Sequence, residues 1–306
     1  MRYFTLCIFC ILFSAFSVRS QVCQTKNVAN LLNWSENFFE TQDFVRNGDL
    51  QSIKEETLDK HSAREKYYES VTKPLQNPCK ILKRIGGTWY GGCGFSDGEK
   101  LLCMESIYQS ISNQSCLVYS FGLADDWDFE ILMAELGCTV HAYDPSTKVE
   151  RPSNSYHPKI HFHQLGLGHM EGQKSLNTKD GEEFITVNTL DEILKANGDD
   201  GKSISYLKID IEGSEIAGIK QWLKSGVMKF VDQLGIEMHT RSIYIEKTAH
   251  KMIYRRFITF LKELDQQYDL KLVAYNPNLC RDKKDDSQKS YYSLHDILLV
   301  KERNTT

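Results

Sequence analysis

Positive charge is not in surplus in this chain. Its 306 residues carry 37 lysines and arginines against 41 acids, a formal net charge of -4. No basic field therefore spans the surface to hold a polyanion, and nucleic acid is excluded as a first partner. Proline is scarce, with six residues, and no internal repeat or low-complexity tract appears, which sets aside repeat architectures. No apolar run reaches the roughly 20 residues that a bilayer-spanning helix needs. The longest, at the N-terminus, has about sixteen. Of nine cysteines, seven lie beyond residue 20, and none of these forms the C-x-x-C pair of a zinc site. What remains is ordinary globular composition, 41% apolar and 25% charged, enough for one large domain or a domain with an appendage.

The opening "MRYFTLCIFCILFSAFSVRSQ" places Arg2 before the apolar run and Val18 and Ser20 at positions suited to cleavage. It reads as a secretory signal over residues 1–20, leaving no stable membrane span once cut. A short uncleaved anchor is the alternative, because Arg2 and Arg19 bracket the run. Entry into an oxidising lumen favours disulfides among Cys23, Cys79, Cys93, Cys103, Cys116, Cys138 and Cys280, with an odd thiol left over. Cys93, Cys103 and Cys116 bracket the stretch before the first expected strand, and at least one disulfide is expected there. Sequons at Asn33, Asn113 and Asn304 agree with secretory passage. The chain is thus expected to be secreted or held in the lumen of the endoplasmic reticulum or Golgi.

Residues 21–78 are polar with Leu31, Leu32, Trp34, Phe38 and Phe39 near helical spacing, and read as a helical extension that Pro74 and Pro78 end. Residues 79–306 form the main domain. There, short apolar runs alternate with helical segments: "CLVYSFG", the helix "DDWDFEILMAELG", "CTVHAYDPS" and "KIHFHQLGLG". A helix opened by a Thr189/Glu192 capping box follows, then "ISYLKIDI", the helix "SEIAGIKQWLKSG" and "VDQLGIEMH". After a long helix, "LKLVAYNPN" and "HDILLVK" follow one another with only a charged loop between them and should pair antiparallel. The earlier alternation demands a parallel sheet with helices on both faces.

In such a sheet the ligand crevice opens at the carboxyl ends of the strands where strand order reverses. Gly122 would let the first strand turn tightly. The turn is not G-x-G-x-x-G, and the acids Asp125, Asp126 and Asp128 behind it would repel a phosphate; they suit helix capping or a cationic ligand. Asp144, ending the second strand about twenty residues on, stands where a carboxylate holds ribose hydroxyls, or simply starts an Asp-Pro turn. Asp210 leaves the fourth strand at the switch point, followed by Glu212 and Glu215, while the fifth strand brings Glu237 and His239 to the same rim. Crowded carboxylates and an imidazole can supply a general base. His239 read alone is equally a packed strand-end residue. Asp210, Glu212 and Glu237 also form an oxygen set for a divalent cation.

These blocks resemble a known family. "LKIDIEGSE" with "LGIEMH" is similar to the fourth- and fifth-strand motifs of FkbM-type methyltransferases. "YSFGLADDWDFE", "GCTVHAYDPS" and "LGLG" resemble the animal secretory-pathway branch that includes methyltransferase-like protein 24, over about Gly86 to Lys301. The resemblance implies a class I, Rossmann-like fold with a seven-stranded sheet and antiparallel C-terminal hairpin, and S-adenosylmethionine as cofactor. It implies Ser120, Phe121, Gly122 and Leu123 beside the methionine part, Asp144 at the ribose, Leu165 and Gly166 at the adenine, and Asp210 beside the methyl donor. Ser120 stands where the family usually has an acid. The reaction implied is methyl transfer to an oxygen. Lumenal passage makes a glycan or small molecule the expected acceptor, and among the candidate catalytic residues Asp210, Glu212 and His239 the base is expected to be His239 or Glu212, with Asp210 orienting it or contacting the donor. The rival expectation is a secreted binding protein that keeps the fold without the reaction. Oligomeric state has no signature in the sequence.

Overall fold

The computed structural model describes residues 60–73, 79–90, 95–124, 126–147, 156–178, 181–240, 249–279, 282–284 and 290–302. The expected signal segment, the extension before Lys60, Asp125, the cysteines at 23, 93 and 280, and the sequons at Asn33 and Asn304 lie outside the described residues.

The described chain opens with α1 (Lys60–Thr72) and two short antiparallel ladders, β1 (Leu82–Ile85) with β4 (Lys100–Cys103) and, between them, β2 (Thr88–Tyr90) with β3 (Phe95–Asp97). Then come α2 (Met104–Ser112), β5 (Leu117–Phe121), α3 (Asp128–Glu135), β6 (Thr139–Tyr143) and β7 (Ile160–His163). A small sheet of β8 (Gly166–Leu167), β9 (Gly172–Thr178) and β10 (Gly181–Asn188) precedes α4 (Leu190–Ala196), β11 (Tyr206–Ile209), α5 (Glu215–Ser225), β12 (Gln233–His239) and α6 (Ala249–Tyr268). Last are β13 (Leu270–Pro277), the ladder of β14 (Asp282–Lys284) with β15 (Ser290–Tyr292), and β16 (Leu294–Lys301).

The central sheet has seven strands in the order β13-β16-β12-β11-β5-β6-β7. All run parallel except β16, which is antiparallel to both of its neighbours. This is the class I methyltransferase layout, with the order reversing between β5 and β11. Both faces are covered, so the middle strands read as continuous apolar runs. One face packs Phe121, Ile209 and Ile236 under Trp222 of α5 and Phe257 of α6. The other packs Val118, Val140 and Tyr206 under Phe129 of α3 and Ile107 of α2. Gly235 is a glycine because a neighbour fills its place: a Cβ there would lie 1.9 Å from the Tyr206 hydroxyl, which donates to Leu101 O at 2.8 Å.

Three sequence expectations shift. The expected third strand stops at His163, and Gly166–Leu167 leaves to pair with β10 in the small sheet. The β9–β10 hairpin went unread because the residues of β9 lack apolar alternation. The first helix begins at Asp128 rather than in the acid run, because Asp126 takes the backbone N–H of Asp128 at 3.0 Å and the hydroxyl of Thr88 at 2.9 Å. Such side-chain capture competes with helix. The capping box at Thr189 and Glu192 forms as expected.

Helix α1 lies in the stretch read as an extension. It docks on α6 and the sheet through buried Ala63, Tyr67 and Val71, with the Tyr67 hydroxyl 2.7 Å from His295 Nε2. Disulfides join Cys79 to Cys103 and Cys116 to Cys138. Cys103 and Cys116 are thus both oxidised, but with partners on either side rather than with each other. Asn113 is exposed. No helix among the described residues is long and apolar enough to cross a membrane.

Two histidines are held neutral inside this fold. His141 stacks on Tyr119 with ring centroids 5.0 Å apart; burial, then His163, lowers it to about 4 against the pull of Asp199. His295 is fully buried, and burial lowers it to about 3 despite the Tyr292 carbonyl, to which its Nδ1–H donates at 3.0 Å. Both pKa values are depressed on folding, so the unfolded chain binds more protons below pH ~6.5 and stability is lost as pH falls from there. A melting series from pH 7.5 to 5 should show a falling Tm, and His141→Asn should flatten the slope by up to one proton. An unchanged slope in the variant would contradict this assignment.

Candidate active site

β5 and β11 lie side by side, and their exits touch. Gly122 follows β5 with φ +86°, and a Cβ there would sit 1.7 Å from the carbonyl oxygen of Asp210. Only glycine lets the first turn lie against the fourth-strand exit. Asp144, at the end of β6, braces that turn. Its Oδ2 accepts the N–H groups of Leu123 at 2.8 Å and Ala124 at 3.1 Å. Its Oδ1 accepts the N–H of Ser146 at 2.8 Å and of Thr147 at 3.0 Å, and the Ser146 hydroxyl at 2.7 Å. Gly166 sits beside the same exit, where a Cβ would meet Val187 at 2.9 Å and Pro145 at 3.3 Å, and Leu165 is half-buried against the core. Gly122, Leu123, Asp144, Gly166 and Asp210 are therefore brought to one rim.

Ser120 is not on that rim. It is fully buried one layer below, donating to Glu130 Oε1 at 2.5 Å. Lys208 pairs with the same oxygen at 3.1 Å and donates to the Gly122 carbonyl at 2.7 Å. A buried carboxylate thus lies beneath the first turn, on the third residue of α3, and Lys208 ties it to the Gly122 carbonyl. Glu130 Oε2 is buried with no hydrogen-bond partner. Neither Glu130 nor Lys208 was singled out from the sequence; the signal was a lysine inside an otherwise apolar strand and an acid on the buried side of a helix.

Across the rest of the rim runs a row of carboxyl groups: Asp210 after β11, Glu237 on β12 and Asp296 on β16, the last two directly paired in register. Lys100 of β4 enters this row, 1% exposed, and donates to Asp210 Oδ2 at 3.0 Å and Asp296 Oδ1 at 2.6 Å. Burial alone would lower the ammonium, but Asp210, Asp296 and Glu237 outweigh it and hold it well above the usual lysine range. Burial likewise raises Asp210, yet Lys100 and a hydrogen bond from Glu237 leave it well below the ordinary carboxylate range. Burial and then the Asp210 charge push Glu237 well up, so Glu237 carries the proton the pair shares. Burial raises Asp296 as well, with Lys100 opposing. Lys100 and Asp296 were likewise missed in the sequence, because only register brings them to Asp210.

His239 ends β12 with its side chain 7% exposed. Its Nδ1 is 3.1 Å from Glu215 Oε1, which also accepts the N–H of Ile211 at 2.9 Å. Its Nε2 lies 3.3 Å from Glu212 Oε2 and 3.8 Å from Glu237 Oε2, ion-pair distances without hydrogen-bond alignment. Burial lowers the imidazole, but Glu215 and Glu212 together raise it well above the usual histidine value. Glu212 itself is 29% exposed in its side chain, the most open of these carboxylates, and its backbone takes φ +57°.

A family described as a methyltransferase domain matches residues 37–275 of the chain. Two curated relatives share the name "Probable methyltransferase-like protein 24". The Homo sapiens protein is 29% identical over 171 residues, 54% of this chain and 45% of the relative. The Rattus norvegicus protein is 26% identical over 172 residues, 55% and 46% of the two chains. The chain thus spans about half the length of the curated relatives it matches. No solved structure matches it.

Replacing Lys100 by methionine should strand Asp210 and Asp296 without their shared cation. A broken buried pair of this kind costs about 3–5 kcal/mol, with the loss growing as pH rises and the carboxyls ionise. Thermal melts at pH 5 and pH 8 measure both effects. A Lys100→Met protein as stable as wild type at pH 8 would contradict the assigned role.

Proposed function

The chain belongs to the methyltransferase-domain family that it matches over residues 37–275, and from that premise we propose that it moves a methyl group from S-adenosylmethionine to an oxygen of a secretory-pathway acceptor. The acceptor proposed is a glycan hydroxyl or a small molecule. The observation that carries this reading is the contact of the Gly122 turn with Asp210, which sets a side-chain-free cradle beside the row of acids.

The residues fit the cofactor in two respects. The Gly122 turn presents backbone without a side chain where it meets the Asp210 carbonyl, and Glu130 Oε2, buried one layer below, has no donor to accept from. Gly122 and Leu123 would lie along the methionine part, with Phe121 and Ser120 supporting them from below. Leu165 and Gly166 would face the adenine. Asp144 would reach the ribose by releasing the Ser146 hydroxyl, one of the five donors it now holds. When bound, the cofactor supplies an electrophilic methyl on a sulfonium. Holding the acceptor oxygen in line with that methyl in a dry crevice is worth about 7–11 kcal/mol of barrier.

On the acceptor side, the hydroxyl would have to give up its proton as it takes the methyl, with the sulfur leaving as a neutral thioether. His239, already an imidazolium between Glu215 and Glu212, is not a base in this state. It orients Glu212, whose partly exposed carboxylate takes the proton. Asp210, kept ionised by Lys100, would place negative charge beside a bound sulfonium. The disulfides Cys79–Cys103 and Cys116–Cys138 support an oxidising compartment. A second reading, a binding protein that has lost the reaction, is favoured by the full occupation of Asp144 and by Ser120 turning inward.

Calorimetry with S-adenosylmethionine separates the two. The methyltransferase reading expects saturable heat from wild type and loss of binding in Asp144→Ala. It also expects Glu212→Gln to keep cofactor affinity while turnover of labelled donor on a glycan and metabolite panel falls about 100- to 10,000-fold. No heat from folded wild-type protein would leave the binding-protein reading standing.

A further inference from the structure

We propose that Asp210, Glu212 and His239 bind a divalent first-row cation of the manganese or zinc class at the rim of the crevice. The site's purpose rests on the methyltransferase reading; its binding does not. One ligand atom from each of the three residues lies within 4.8 Å of the others. Bonds of about 2.1 Å to a shared ion would bring such atoms to about 3–4 Å of one another.

The imidazole gives the second, independent observation. His239 is more than nine-tenths buried, and its Nε2 points into the carboxylates without an aligned hydrogen bond. Its other nitrogen is held by Glu215 Oε1 at 3.1 Å, and Glu215 is fixed in turn by the N–H of Ile211 and complete burial. A carboxylate behind one ring nitrogen, with the other nitrogen aimed at acidic oxygens, is the outer-shell arrangement that orients a metal-bound histidine. Charge favours the same conclusion. Glu237 keeps its proton, yet Asp210, Glu212 and Glu215 still outnumber the cations Lys100 and His239, while the ammonium of Lys208 is matched by Glu130.

One nitrogen and two carboxylates suit manganese or zinc better than magnesium or calcium, which prefer oxygen alone. The ligand set differs from the all-oxygen set expected from the sequence in taking His239 in place of Glu237. Near an acceptor hydroxyl such a cation draws electron density from the oxygen and eases loss of its proton to solvent as the methyl bond forms. The base role of Glu212 and the imidazolium of His239 described above belong to the cation-free chain; with the cation bound, Glu212 is a ligand and the cation takes the place of the proton on Nε2. A different cluster, Cys79, Cys103 and Glu105, offers no comparable site because its two sulfurs are joined.

The test is a titration of the full, chelator-treated chain with Mn2+ followed by electron paramagnetic resonance, with pulsed spectra of the bound ion. Expected are one bound Mn2+ per chain and nitrogen modulation from a single imidazole. Glu212→Gln should weaken binding roughly 10- to 100-fold, and His239→Gln should abolish the nitrogen signal, each variant being checked by its melting curve. No binding at millimolar Mn2+, or binding without nitrogen modulation in wild type, overturns the proposal even if both variants fail to fold. Calorimetry with S-adenosylmethionine on the same preparation keeps the two readings apart. Cofactor binding without Mn2+ binding removes the cation site alone, whereas Mn2+ binding without cofactor removes the methyltransferase reading alone.

Discussion

The buried ammonium of Lys100, shared between Asp210 and Asp296, is the interaction on which the arrangement of the rim depends. Lys100 belongs to β4, outside the seven-stranded sheet. Its strand is held flush by Tyr206 donating to the Leu101 carbonyl and by Gln233, whose amide both accepts from and donates to the backbone of Cys103. The disulfide to Cys79 anchors the same point. Burying such charges costs several kcal/mol per ion, which their attraction only partly offsets. The pairing therefore makes more sense as a device of position and charge than of stability. It keeps Asp210 ionised at the strand exit while Glu237 beside it stays protonated.

A second buried pair works one layer below. Lys208, Glu130 and Ser120 lie under the first turn, and the lysine grips the carbonyl of Gly122. Asp144 grips the amides that follow it. The turn is thus held from beneath by a cation and from the side by an anion, without the extra glycines that such turns usually carry. A backbone fixed in this way needs little reorganisation to receive a ligand, which is the main thing a group-transfer enzyme asks of its scaffold.

The architecture was largely legible because both-face burial and helix punctuation write themselves into sequence: "YLKI" and "LVYSF" as apolar runs, the capping box at Thr189, Gly226 after α5. The rim residues Gly122, Asp144, Asp210, Glu237 and His239 were legible from strand ends alone. What was hidden depends on pairing across sequence distance. Lys100 meets Asp210 110 residues away, and Lys208 looked like a charge misplaced in a strand until Glu130 was seen opposite. The β9–β10 hairpin escaped because its first strand is polar, although the sequence carries Asp180-Gly181, a hairpin signal, at this point. Ser120 looked like a lost acid; it is a buried donor to Glu130 of α3.

The central claim is that the Gly122 turn and the Asp210 exit form one donor site. Hydrogen–deuterium exchange of the full chain with and without S-adenosylmethionine tests it most directly. The account predicts slowed exchange on binding at the amides of Leu123 and Ala124 and in the segment from Asp210 to Glu215, with the α6 helix unaffected. Protection confined to other parts of the chain, with these amides unchanged, would contradict it.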